Sequence, residues 1–209
     1  MYTLYYLPGA CSLAVHVALI ETGAKFKLEN VAVAEGQPRP AAFLKVNPRG
    51  SVPVLQDGDL VIREGAAILT YLLDNAKNDL LPQSGKERAA ALEWLAFANA
   101  TLHPAYGRMF WLKRHAKTEL ATLSQAGIDA IQKLWDDVEA QLASQPYLCG
   151  KNPTIADILV TVIANWTPYF GNNLVNFGPR TKALFKAVIN RPSYQQAMAT
   201  EQVEYKVAA

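Results

Sequence analysis

The feature that most limits what this chain can fold into is a change of pattern near residue 77. Before it, the apolar segments are short and alternate in type. After it, they are long and recur at three- and four-residue steps. Thr3-Leu4-Tyr5-Tyr6 is aromatic and strand-favouring and is broken by Pro8-Gly9. Ser12 to Thr22 carries Leu13, Val17 and Ile20 at helical spacing, with Gly23 placed as the residue just past a helix end. Lys25 to Val33 reads as a second strand, and Glu35 to Pro40, with two prolines and a glycine, as a loop. Val52 to Gln56 and Leu60 to Glu64 flank Asp57-Gly58-Asp59, a hairpin signal, and Gly65 to Ala76 is helical again. The first 77 residues therefore read as β-α-β followed by β-β-α.

Residues 78–85 are polar, carry Pro and Gly, and read as a linker; residues 86–209 read as an all-helical domain. Lys86 to Arg114 is one helical pattern through Ala91, Trp94, Leu95, Ala98 and Leu102, which Pro104 should kink or interrupt because it removes a backbone donor. Leu120 to Leu142 is a second amphipathic helix, Thr154 to Trp166 is apolar enough to be central, and two shorter helices surround Arg191-Pro192. The expected fold is thus α/β followed by all-α. Twenty basic and eighteen acidic residues give a net charge of +2 with no basic block, which argues against a nucleic-acid partner. No apolar run approaches the roughly 18 residues that span a bilayer, so no membrane is expected. The N-terminus carries no secretory pattern, and two cysteines make no disulfide framework, so a cytoplasmic location is expected.

Three places in the first region carry chemistry. Cys11 follows a strand and a tight turn and immediately precedes a helix, where free N–H groups and the helix dipole would favour a thiolate; it could equally be a small buried residue. No second cysteine lies three residues on, so it cannot close its own disulfide. Val52-Pro53 opens a strand. A cis bond there would leave the Val52 main chain open to pair with an extended peptide, whereas a trans proline would be an ordinary strand start. Glu64-Gly65 joins a strand to a helix: the Gly65 and Ala66 N–H groups suit a carboxylate and the Glu64 side chain an amine, although acidic helix starts are common. The three histidines and two cysteines have no metal-ligand spacing, and Cys149, His16 and His115 read as structural or solvated.

Taken in order, Tyr5-Tyr6-Leu7-Pro8-Gly9-Ala10-Cys11-Ser12-Leu13, Val46-Asn47-Pro48-Arg49-Gly50-Ser51-Val52-Pro53-Val54-Leu55, Arg63-Glu64-Gly65-Ala66-Ala67-Ile68 and Thr154-Ile155-Ala156-Asp157 resemble the cytosolic glutathione S-transferases, and within them the bacterial beta class. The resemblance implies a thioredoxin-like domain, a helical domain and a homodimer. It further implies glutathione as co-substrate, with a small hydrophobic electrophile as second substrate and no metal. It places the cysteinyl backbone of glutathione on Val52 before a cis Pro53, and the γ-glutamyl end on Glu64 and Gly65, where many relatives have Ser. The sulfur would lie near Cys11, with Ser12 and Tyr6 close by. His103 stands where a beta-class histidine points toward the cleft, and Thr154 to Asp157 matches the family's capping box. Tyr106, Phe110, Trp111 and Trp166 are candidate walls of an apolar pocket between domains, or else core. Two departures stand out. Ala96 replaces a frequent Asn, and the loop Ala34-Glu35-Gly36-Gln37 lacks the lysine that often meets the glycyl carboxylate. They keep open a non-catalytic binding or regulatory protein of the same fold, and Cys11 itself keeps open a thiol–disulfide oxidoreductase that uses it.

Overall fold

The computed structural model describes residues 1–115, 120–171 and 174–207, with only the backbone at 120–123. The first unit is built on a four-stranded sheet, β1 (Tyr2–Tyr6), β2 (Phe26–Asn30), β3 (Val54–Asp57) and β4 (Leu60–Ile62), in the order β2-β1-β3-β4. β1 runs parallel to β2 and antiparallel to β3, and β3 is antiparallel to β4. The parallel pair needs a crossover, supplied by α1 (Ser12–Glu21); the antiparallel pair closes through Gly58-Asp59, where Gly58 takes φ +58, a left-handed conformation that favours glycine. Gly23, at φ +63, ends α1 with its N–H on the Ile20 carbonyl.

Alternation along the strands sorts the core into two faces. Tyr5 and Val54 are paired across β1 and β3 and meet Phe43 and Val31, with the Tyr5 and Phe43 rings 5.4 Å apart. Phe43 belongs to α2 (Ala41–Val46), a helix the sequence pattern did not suggest, since six residues are too few to show a 3.6-residue period. Leu4 and Leu55, also paired, point to the opposite face, where α1 and α3 (Gly65–Asp74) pack.

In the second unit, α4 (Gly85–Ala96) leads into a π-helical segment, Phe97–Leu102, and then α5 (His103–His115). The expected interruption at Pro104 takes this form. Pro104 has no N–H for the preceding turn, and the His103 N–H reaches back five residues to the Ala98 carbonyl. α6 (Leu120–Gln141), α7 (Ile155–Ala164) and α8 (Pro179–Ile189) follow, with a short 3₁₀ turn at Thr167–Tyr169. Every residue of α7 is buried, and α4, the π segment and α8 pack on it. Trp135 of α6 stacks edge-on with Phe177 and Phe185 and donates its Nε1–H to the Tyr106 hydroxyl at 2.9 Å. The capping box is present: Asp157 accepts from the Thr154 N–H at 2.6 Å and the Thr154 hydroxyl at 2.9 Å, and its other oxygen takes the Leu148 N–H.

The compact units are residues 1–83 with 190–204, and residues 84–189 with the chain end from Tyr205. This differs from the expected 86–209 domain, whose last two residues lie outside the described residues. The physical reason is α9 (Pro192–Glu201), whose polar groups are bonded to α1 in the first unit. Arg191 reaches Glu21 at 2.8 Å, the Ser193 hydroxyl donates to the same carboxylate, and Glu201 meets His16. Among the described residues no helix is long and apolar enough to cross a membrane.

Candidate functional site

The turn between β1 and α1 is fixed from two sides. The buried Ser12 hydroxyl accepts the Leu7 N–H at 3.3 Å and donates to the Leu7 carbonyl at 3.2 Å, so it closes the turn on itself. Gly9 takes φ +69, and its N–H donates to Glu201 Oε2 at 3.0 Å. Glu201 Oε1 is 3.0 Å from His16 Nδ1, so one buried carboxylate of α9 holds both the turn and α1. Tyr6 is buried on the Leu4 side of β1, and burial together with the Glu201 charge pushes its phenol above the usual range.

Cys11 stands at the N-cap of α1, and its thiol donates to the Val52 carbonyl at 3.5 Å. The expected thiolate is not what this position favours. Burial pushes the Cys11 thiol up to about 12, and the opposing backbone N–H groups of Cys11 and Ser12 do not offset it. The structure therefore brings Cys11 and Val52 together as a neutral thiol on a carbonyl. The Val52–Pro53 bond is cis. Among the described residues the Val52 N–H has no hydrogen-bond partner, and a carbonyl with two lone pairs can accept a second donor beside Cys11.

Glu64 is the N-cap of α3 and its carbonyl accepts the Ile68 N–H at 2.9 Å. The Gly65 and Ala66 N–H groups, at the first helical positions, have no intrahelical acceptor. The Glu64 carboxylate is bound by Arg49 Nη1 at 2.9 Å. This arginine and two others fix the loop before Val52, and none was singled out from the sequence. Arg39 donates to the Val31 and Gly50 carbonyls, and Arg63 to the Val46 carbonyl. Buried Asn47 completes the loop: its amide donates to the Ser51 carbonyl, and its oxygen accepts the Arg49 N–H. The available signal was composition, for three guanidinium groups flank one short Asn-Pro-containing loop.

The remaining expected residues lie in the second unit. His103 sits where the π segment passes into α5, its ring 5.1 Å from Trp166, and burial holds its imidazole below the ordinary value. Phe110 meets Trp166, Tyr169 and Phe170. Tyr106 is a core residue: it is fully buried, with its hydroxyl 2.6 Å from Thr167 Oγ1 and also accepting from Trp135. Trp111 is apart from this group, 61% exposed and stacked on His115. Cys149 packs as expected, with its thiol pushed up to about 11 by burial.

A four-stranded thioredoxin-like sheet with a cis-proline loop and an N-capping cysteine, followed by an all-helical domain, defines a class of protein. The glutathione S-transferase N-terminal domain model matches residues 1–74 and the C-terminal domain model residues 97–192. Glutathione S-transferase GstA of Escherichia coli O157:H7 is 30% identical over 95% of this chain and 98% of its own. A glutathione transferase structure from Methylococcus capsulatus is 36% identical, with TM-score 0.84 over 97% of this chain and 99% of its own. A sphingomonad glutathione S-transferase complexed with glutathione is 29% identical, with TM-score 0.82 over 97% of this chain and all of its own. This chain belongs to the glutathione S-transferase family.

Proposed function

We propose that this protein joins the sulfur of glutathione to small hydrophobic electrophiles, and that it does so as a cytoplasmic, beta-class-like homodimer. The observation that carries the reading is the meeting of Cys11, at the start of α1, with the main chain of Val52. A peptide paired antiparallel with Val52 leaves its cysteinyl sulfur beside the α1 N-terminus. Antiparallel pairing also sets the two ends. The residue before the cysteine runs toward Pro53 and Glu64. The residue after it runs toward Ser51 and Gly50, where the Arg39 guanidinium supplies the positive charge that the Ala34–Gln37 loop lacks. The glutathione bound in the sphingomonad relative supports this choice of ligand.

In the reaction, the glutathione thiol gives up its proton to water and the sulfur's electron pair forms a bond to the electrophilic carbon. A leaving group departs with its own pair, or an epoxide C–O bond opens and its oxygen takes a proton from water. The Cys11 thiol stays neutral and turns its single S–H from the Val52 carbonyl to the developing glutathione thiolate, which the α1 dipole also favours. Each unit by which the bound thiol is lowered corresponds to about 1.4 kcal/mol of thiolate stabilisation. Within the helical unit, burial holds the His103 imidazole below the ordinary value beside the buried Trp166, which Phe110 also meets. Tyr106 keeps a core role.

The thiol–disulfide alternative requires Cys11 itself as nucleophile, which a thiol raised to about 12 disfavours. Titration with glutathione, followed by a panel of aryl halide, epoxide and disulfide substrates on the protein and on Cys11→Ala, separates the readings. The expected result is saturable glutathione binding and aryl halide conjugation that survives in part in Cys11→Ala. Disulfide exchange that vanishes in Cys11→Ala while conjugation is absent from both proteins would establish the oxidoreductase instead. No binding at millimolar glutathione would leave only a non-catalytic role. Sedimentation of the purified chain checks the dimer.

A further inference from the structure

The amino-acid end of a γ-glutamyl group carries its ammonium and its α-carboxylate on a single carbon. A site that reads both charges therefore needs an acceptor and a cation side by side. Glu64 and Arg49 are such a pair: Arg49 Nη1 lies 2.9 Å from Glu64 Oε1, and both side chains are about two-thirds exposed. Glu64 Oε2 and the rest of the Arg49 fork face no other partner among the described residues. As a plain surface ion pair this contact contributes about 0–1 kcal/mol, so little is lost when a ligand rearranges it.

The backbone that carries Arg49 is not free to drift. Its N–H is bonded to the Asn47 side chain, and Gly50 follows at φ +67 with its N–H on the Asn47 carbonyl. The Asn47 amide in turn holds the Ser51 carbonyl at 2.8 Å, one residue before Val52. At the other side of the pair, α3 begins with Gly65, which has no side chain to offer a carboxylate.

We infer that Arg49 is a specificity-determining residue that receives the α-carboxylate of a γ-glutamyl ligand while Glu64 receives its ammonium, in place of the hydroxyl that Gly65 lacks. The inference rests on the glutathione-binding reading above and adds to it the residue that reads the carboxylate. It makes the site selective for γ-glutamyl thiol peptides over peptides bearing only one of the two charges.

Calorimetric titration of the protein, of Arg49→Met and of Arg49→Lys tests this with three peptides: S-methylglutathione, its analogue with 4-aminobutyryl for γ-glutamyl (no carboxylate), and its analogue with glutaryl (no ammonium). Removing the carboxylate is expected to weaken binding to the unaltered protein about ten- to a hundredfold. Arg49→Met should weaken S-methylglutathione binding by a similar factor and erase most of the difference between it and the 4-aminobutyryl analogue. The penalty for the glutaryl analogue should persist in Arg49→Met, because Glu64 is untouched, and Arg49→Lys should recover part of the lost affinity. In turnover, Arg49→Met should raise KM for glutathione with kcat little changed. If Arg49→Met binds S-methylglutathione as tightly as the unaltered protein, or keeps the full carboxylate discrimination, the inference is overturned while the Val52 and Glu64 reading stands. If none of the peptides binds the unaltered protein, both fall.

Discussion

A thiol at a helix start is subject to two opposed effects. The N–H groups and dipole of α1 favour a charged sulfur, whereas removal from water favours the neutral one, and at Cys11 the second prevails. With the thiol raised to about 12, the thiolate is a small minority of Cys11 at pH 8. Alkylation by iodoacetamide at pH 8 should therefore be orders of magnitude slower than that of a free thiol, at Cys11 and at Cys149 alike; rapid labelling of Cys11 would show its sulfur to be hydrated. His103 answers to the same physics with the opposite charge. Because burial lowers its folded-state value, the unfolded chain binds the proton first, so stability should decline as pH falls below about 6.5. Urea unfolding at pH 7.5 and pH 5 should show that decline, and His103→Phe should lose part of it.

At the scale of elements, helix starts and ends are set by side chains that neighbouring positions cannot replace. Asp157 satisfies two backbone N–H groups, those of Leu148 and Thr154, in a fully buried setting. Asp157→Ala would leave both unpaired beneath α7, at a cost of about 2–4 kcal/mol measured by equilibrium unfolding; a change below half a unit of kcal/mol would mean water replaces the carboxylate. The capping box was legible in Thr154 to Asp157 because its residues lie three apart. So were the β3–β4 hairpin, through Asp-Gly-Asp, and the end of α1, through Gly23, since each is a local rule. The π segment was legible only as an interruption. Pro104 removes a donor, but which turn widens depends on packing against α7, and local sequence does not encode that.

At the scale of the whole chain, the return of α9 ties residues far apart in sequence to the site. Glu201 accepts from Gly9 and meets His16, separations of 192 and 185 residues. Glu201→Ala would remove the carboxylate that accepts the Gly9 N–H and lies beside the buried His16 imidazole, so a loss on the order of 3 kcal/mol is expected. Glutathione affinity should fall with it, because Gly9 sets the turn that presents Cys11. Urea unfolding together with glutathione titration checks this; unchanged values for both would show that Ser12 and the Leu7 backbone hold the turn alone.

The sequence by itself determined the order of the strands and the two longer helices in the first region, the all-helical second region, and the places of Cys11 before α1, Val52 before Pro53 and Glu64 before α3. Each is written in periodicity, turn residues or contiguous motifs. Only the tertiary structure decided that the Cys11 thiol stays neutral, that Ser12 closes its own turn, that Tyr106 is core and Trp111 exposed, and that Arg49 faces Glu64. These outcomes depend on desolvation and on contacts between segments distant along the chain, and both arise only once the chain has folded.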